Sequence, residues 1–182
     1  MSAPALIRAF KDPFSRFVIV GIGLWLGWLL LYHQWIHPWG ALDRLVINSL
    51  MDLSGALLTA FGYELLPEPG IDLERYIGVQ GGSLLWIGDP CNGIKIFAVL
   101  AVFVIAFPGP WRHKAWFVPA GIALVHLLNA IRVAVLCIVV TQGYGWLEFN
   151  HDYTFYVVVY GAVFGLMWLW VRRFSGWKRP SA

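Results

Sequence analysis

The sequence predicts an all-α polytopic membrane protein with about four transmembrane helices, an outer-surface amphipathic helix and a small extracytoplasmic β-hairpin. Three observations lead there. Of the 182 residues, 59% are hydrophobic and 13% charged, whereas a soluble domain holds about 25% charged residues. Four apolar runs reach membrane length, at 17–33, 91–107, 116–140 and 153–171. At ~1.5 Å per residue even the shortest covers roughly 25 Å. The basic residues, finally, gather in three clusters that four alternating spans place on one side. Such a composition excludes a soluble globular domain, and no nucleic-acid partner is expected.

Taken in order, residues 1–16 carry Arg8, Lys11 and Arg16. The run at 17–33 has the flanks of a signal peptide. Tyr32-His33-Gln34-Trp35 follows it where small residues would mark cleavage, so it is read as a retained helix. Arg112 and Lys114 separate the second and third spans, and Arg172, Arg173, Lys178 and Arg179 fill the tail at 172–182. These nine of the thirteen Lys and Arg share a side, which the positive-inside rule makes the cytoplasm. Nine of the ten acids, all but Asp12, then lie outside or at the outer edge. Trp111, Trp116, Trp168, Trp170 and Trp177 form an inner aromatic belt, and Trp35, Trp39 and Trp146 an outer one.

Residues 41–63 read as a helix, but Asp43, Arg44, Asn48 and Asp52 make a poor lipid-facing span. If this helix crossed, the Arg112-His113-Lys114 loop would fall outside. It is therefore expected to lie on the outer surface or dip into it. At 73–87 the pair Gly81-Gly82 stands between Tyr76-Ile77-Gly78-Val79 and Leu84-Leu85-Trp86-Ile87, two β-prone runs around a turn. The whole chain, 1–182, reads as one membrane-embedded domain.

Chemistry concentrates where Asp89-Pro90-Cys91-Asn92-Gly93 opens the second span. With Asp89 as N-cap and Pro90 as first helical residue, Cys91 falls in the first turn. Unpaired N–H groups and the positive end of the helix dipole favour a thiolate there. Lys95, four residues on, adds to that, and Asp89 opposes it. Arg132 lies well inside the third run, where a charge costs at least ~2.5 kcal/mol and marks function or a helix-helix ion pair, for instance to Asp152. Asn129, three residues before it, shares its face. His151, followed by Asp152, precedes the last span, and imidazole suits proton transfer at a cysteine site. Counting from the inner ends puts Cys91 and Arg132 both ~24 Å up, with His151 ~6 Å higher, so the three can meet near the outer leaflet.

Other polar or small residues carry blander readings. Cys137, among Leu136, Ile138 and Val139, reads as packing, and counting places it ~8 Å above Cys91, too far for a disulfide without distortion. His33 and His37 stand at i and i+4, but no third metal ligand accompanies them and no Cys/His zinc spacing occurs. His126 reads as an interhelical hydrogen-bonder, and Gly161 with Gly165 as a close-packing pair.

Cys91-Asn92-Gly93 opening a span, Asn129-Ala130-Ile131-Arg132 inside the next and His151 opening the one after resemble the exosortase/archaeosortase family of membrane cysteine transpeptidases. The resemblance covers roughly Gly55 to Trp170. Lys95 stands where that family often has Arg, and the chain is short for the family. The resemblance implies catalytic roles for Cys91, Arg132 and His151, supported by Asn92, Gly93, Lys95, Asn129 and Asp152, with no metal or cofactor. It further implies exported protein substrates ending in a short motif, a transmembrane helix and a basic tail, as in PEP-CTERM proteins. The enzyme would sit among the lipids of the bacterial inner membrane, with its site facing the periplasm or exterior. A competing reading is a non-enzymatic assembly factor or small transporter subunit that uses Arg132 for helix pairing. A thiol-redox protein using Cys91 and Cys137 is a third.

Overall fold

The computed structural model of the protein describes residues 12–67, 75–142 and 155–176. Five helices and one hairpin make up the described chain: α1 (Pro13–Leu31), α2 (Ala41–Ala60), β1 (Tyr76–Ile77), β2 (Leu85–Trp86), α3 (Ile94–Ala106), α4 (Trp111–Val139) and α5 (Phe155–Leu169). This is an all-α polytopic membrane fold with a single two-stranded sheet among the described residues. Three helical segments are long and apolar enough to cross a membrane: Pro13–Trp39, Trp111–Val139 and Val157–Phe174. The expected span at 91–107 is a shorter apolar helix of 13 residues, or ~20 Å.

The first helical segment is longer than the expected 17–33. It starts at Pro13, where the Asp12 carboxylate accepts from the Ser15 N–H and hydroxyl, both at 2.8 Å, and Pro13 needs no donor. It continues past His33 through a π-helical turn at Tyr32–Ile36 into His37–Trp39. No residue of α1 is buried, as befits a helix that faces lipid.

The chain divides into two compact units. One gathers α1, most of α3, α4 up to Ile122 and α5 from Val163. Its interior is Leu100, Val104, Phe117 and Trp170, with Phe103, Leu166 and Phe174 packed around them. Phe17 meets Phe103 and Phe107 edge-on, with centroids 5.5 and 5.1 Å apart. The Lys114 ammonium donates to the Ile105 carbonyl at 2.7 Å, a cation on one of the open carbonyls that end α3. A methyl on Gly121 would come within 2.7 Å of Leu100 Cδ2, so the tip of that side chain would have to move. Gly161 and Gly165 show no close packing among the described residues, none of which lies within 4 Å of a Cβ built on either.

The other unit holds α2, the hairpin, the turn up to Ile94, α4 from Ala123 and α5 up to Ala162. Along α2, Asp43, Ile47, Leu50, Ser54 and Leu58 are buried, a spacing that lines one helical face. Arg44, Asn48 and Asp52 are exposed. The buried face packs with Ile77, Val79 and Ile87 of the hairpin region and with Ala130, Val133, Ala134 and Cys137 of α4. The amphipathic character of 41–63 is thus present, but its apolar stripe is covered by protein. Ser54 ties the helices together, donating to Leu50 O at 2.6 Å and lying 3.2 Å from Ala130 O. Ser49 Oγ lies 3.0 Å from His126 Nε2, the interhelical role expected of that histidine.

α2 ends at Ala60 rather than Tyr63 because Gly62, at φ 83°, turns the chain. Its N–H donates to Thr59 O and that of Tyr63 to Leu58 O, both at 3.0 Å, the paired bonds of a Schellman end. The hairpin pairs Tyr76 with Trp86 and Ile77 with Leu85. An addition not expected lies beside β1, where Leu65 bridges Val79 antiparallel.

Candidate active site

The Cys-Asn-Gly segment is not the first turn of a helix. Asp89, Pro90 and Cys91 form a separate 3₁₀ turn with Gly88 ahead of it, and Cys91 N–H donates to Gly88 O at 2.9 Å. Gly93 then takes φ 80°, a backbone conformation costly for any residue with a Cβ. Only after it does α3 begin. The cap is therefore Asn92, not Asp89: Asn92 Oδ1 accepts from the Ile94 N–H at 2.9 Å. The three residues divide the work physically, with Cys91 on a tight turn, Asn92 as anchor and Gly93 as the reversal.

Two hydrogen bonds fasten this turn to its neighbours. Asn92 Nδ2 donates to Asp43 Oδ1 of α2 at 2.7 Å, and both residues are 2% exposed. Asn129 Nδ2 of α4 donates to the Cys91 carbonyl at 2.8 Å. A buried charge-assisted bond of the first kind contributes about 1.5–3 kcal/mol, whereas its rupture would strand a buried polar group. At the other edge Arg75 Nη1 pairs with Asp89 Oδ1 at 2.6 Å, both about one-third exposed. That pair takes up the carboxylate two residues before the thiol.

Cys91 is partly buried, its thiol free, and packs against the core of α2, the hairpin and α4. Arg132 stands one turn beyond Asn129 on α4 and is half-buried; three residues carry it ~4.5 Å along the axis on the same face. Cys91, Asn92, Gly93, Asn129 and Arg132 thus belong to one compact unit. Lys95 is exposed on α3, and the reversal at Gly93 removes the continuous helix on which its expected i,i+4 relation to Cys91 rested. His151 and Asp152 lie outside the described residues. Cys137 is fully buried, with Sγ 3.9 Å from Ile77 O, and is likewise a free thiol.

Two participants were not singled out from the sequence for this site. Asp43 stood out only as an awkward acid in an amphipathic helix, although its place on the Ile47, Leu50, Ser54, Leu58 face signals a buried polar contact. Arg75 carried no local signal, since its partner lies fourteen residues away in a turn. Among the described residues no group of three or more His, Cys, Asp or Glu is placed to hold a metal ion. Within this unit a thiol sits on a constrained turn, an amide bonds its carbonyl, and a guanidinium follows one helical turn further along α4.

No curated protein and no solved structure matches the chain. The family model described as transmembrane exosortase matches residues 14–171, most of the chain. With the order of Cys-Asn-Gly, Asn-x-x-Arg and membrane helices already in place, that match means that this chain belongs to the transmembrane exosortase family.

Proposed function

We propose that the protein is a cysteine transpeptidase or protease at the membrane edge that removes C-terminal sorting signals from exported proteins, with its site on the periplasmic or exterior side of the inner membrane. The observation that carries this reading is the 2.8 Å bond from Asn129 to the Cys91 carbonyl. It ties the cysteine turn to the helix that bears Arg132, so that the nucleophile and an oxyanion donor have fixed footings.

In this mechanism the Cys91 thiolate attacks the scissile carbonyl carbon, and the carbonyl oxygen takes up negative charge. Arg132 stabilises that charge, or holds the substrate backbone, with Asn129 positioning the turn. The C–N bond breaks as His151, oriented by Asp152, protonates the departing amine, leaving a thioester on Cys91. An incoming amine of a lipid or glycan, or water, then gives its proton to His151 and attacks the thioester. The C–S bond breaks and the thiolate returns.

Co-expression with a tagged exported protein ending in a motif, an apolar helix and an Arg cluster tests the proposal. The wild type shortens the substrate, whereas Cys91→Ala leaves it full length while accumulating in the membrane to the same level. Asn129→Ala slows processing by about tenfold, the effect of about 1.4 kcal/mol of lost positioning. Cleavage by Cys91→Ala at the wild-type rate would refute the mechanism. A wild type that leaves every such substrate intact would favour the non-enzymatic alternative.

A further inference from the structure

A cavity in the unit that holds α1 and most of α3 has no role in the chemistry above. It measures about 560 Å³ and lies at the end of α1 that carries Arg16. Among the described residues two cations line it, Arg16 and Lys114, and no carboxylate does. Lys114 is only 6% exposed and donates to the Ile105 carbonyl at 2.7 Å, a bond that uses one of the three N–H donors of the ammonium. Asp12, just before α1, is engaged by Ser15. A buried ammonium beside a guanidinium is an arrangement that an anion would complete.

The rest of the lining says which anion. Phe17, Val20 and Leu24 of α1 run away from Arg16 along a helix with no buried residue, and Ile105 faces them. Trp111, 69% exposed, stands beside Lys114, whose ammonium is 4.9 Å from its ring centroid, as at a membrane interface. A cationic end joined to an apolar wall suits a ligand with a phosphate at one end and hydrocarbon at the other. The basic tail of a sorting substrate has the wrong sign for it.

We infer that this cavity binds the head group of an anionic phospholipid, with the phosphate between Arg16 and Lys114 and an acyl chain along Phe17, Val20 and Leu24. The site belongs to the leaflet that the basic segments face, where juxtamembrane cations meet anionic lipid.

The test uses the full chain in nanodiscs of phosphatidylcholine doped with phosphatidylglycerol, followed by native mass spectrometry of retained lipid. Wild type retains phosphatidylglycerol over phosphatidylcholine, and Arg16→Gln weakens that preference about fivefold, the worth of one cation near the surface. Arg16→Gln leaves the Lys114 contact with Ile105 intact and so spares the helix end. Lys114→Met adds a second loss where it folds. In detergent, phosphatidylglycerol raises the unfolding temperature of the wild type and inorganic phosphate does not. Equal retention of both lipids, an unchanged preference in Arg16→Gln, or an equal shift with inorganic phosphate would each overturn the assignment.

Discussion

Around Leu100, Val104, Phe117 and Trp170 the interior is aliphatic and aromatic, helices meet through ring edges and the close approach at Gly121, and the buried polar groups Lys114 and Ser175 bond carbonyls near helix ends. Around Cys91 the same chain buries Asp43, Asn92, Ser54 and Asn129 and links them by hydrogen bonds. Packing alone can hold helices together, so the polar groups of the second unit are not needed for cohesion. Each is costly to bury unless paired, and each pair fixes one element against another with hydrogen-bond rather than van der Waals tolerance. The contrast teaches where positional accuracy matters in this chain. It matters at the cysteine turn.

The sharpest way to break that comparison is Arg132→Lys. An ammonium cannot reproduce a planar two-pronged donor, so processing should fall about 10²–10³-fold. Thermal unfolding in detergent should stay near wild type. A variant that processes normally would reduce Arg132 to a helix-pairing charge. Asp43→Ala should come next, since it leaves Asn92 Nδ2 buried without its carboxylate and costs about 2–3 kcal/mol. Here stability and processing should decline together, with Asp43→Asn milder on both.

In the apolar unit the expected changes are smaller and different in kind. Gly121→Ala pushes a methyl toward the tip of the Leu100 side chain, which can shift, so the cost should be about 1 kcal/mol. The unfolding temperature should drop while the processing rate per folded molecule is unchanged. The smallest effect belongs to Asp12. The Ser15 N–H, then the Ser15 hydroxyl, hold its carboxyl below the ordinary carboxylate value. Because the folded value is the lower one, the cap helps above the ordinary value and its contribution is lost as pH falls through the depressed one. The protection of the Ser15 and Arg16 amides, taken relative to the intrinsic exchange rate at each pH, should therefore fall on acidification in the wild type and be low already at neutral pH in Asp12→Ala.

Much of this architecture was legible because it is local. Apolar runs announced the helices, and Gly81-Gly82 between β-prone runs announced the hairpin. Cys91, Asn92, Asn129 and Arg132 lie in one unit, where Asn129 bonds the Cys91 carbonyl. What escaped was set by backbone reversals or by contacts distant in sequence. Asp89-Pro90 looks like a helix start, yet Gly93 at φ 80° resets the chain and hands the cap to Asn92. The Asp43–Asn92 bond joins residues forty-nine positions apart, and no window along the chain contains both. The Leu65–Val79 bridge pairs a stretch with no alternation of its own. Small-residue spacing marks close packing only where a neighbour is present, and a Cβ built on Gly161 or Gly165 meets none within 4 Å among the described residues.

The central claim is that Cys91 carries the substrate as a thioester. Mass spectrometry of the protein purified with a slowly released sorting substrate reads this directly. The peptide containing Cys91 should gain the mass of the substrate's new C-terminus and lose it on treatment with hydroxylamine. Continued processing with that peptide always unmodified, or an adduct seated on Cys137 instead, would contradict it.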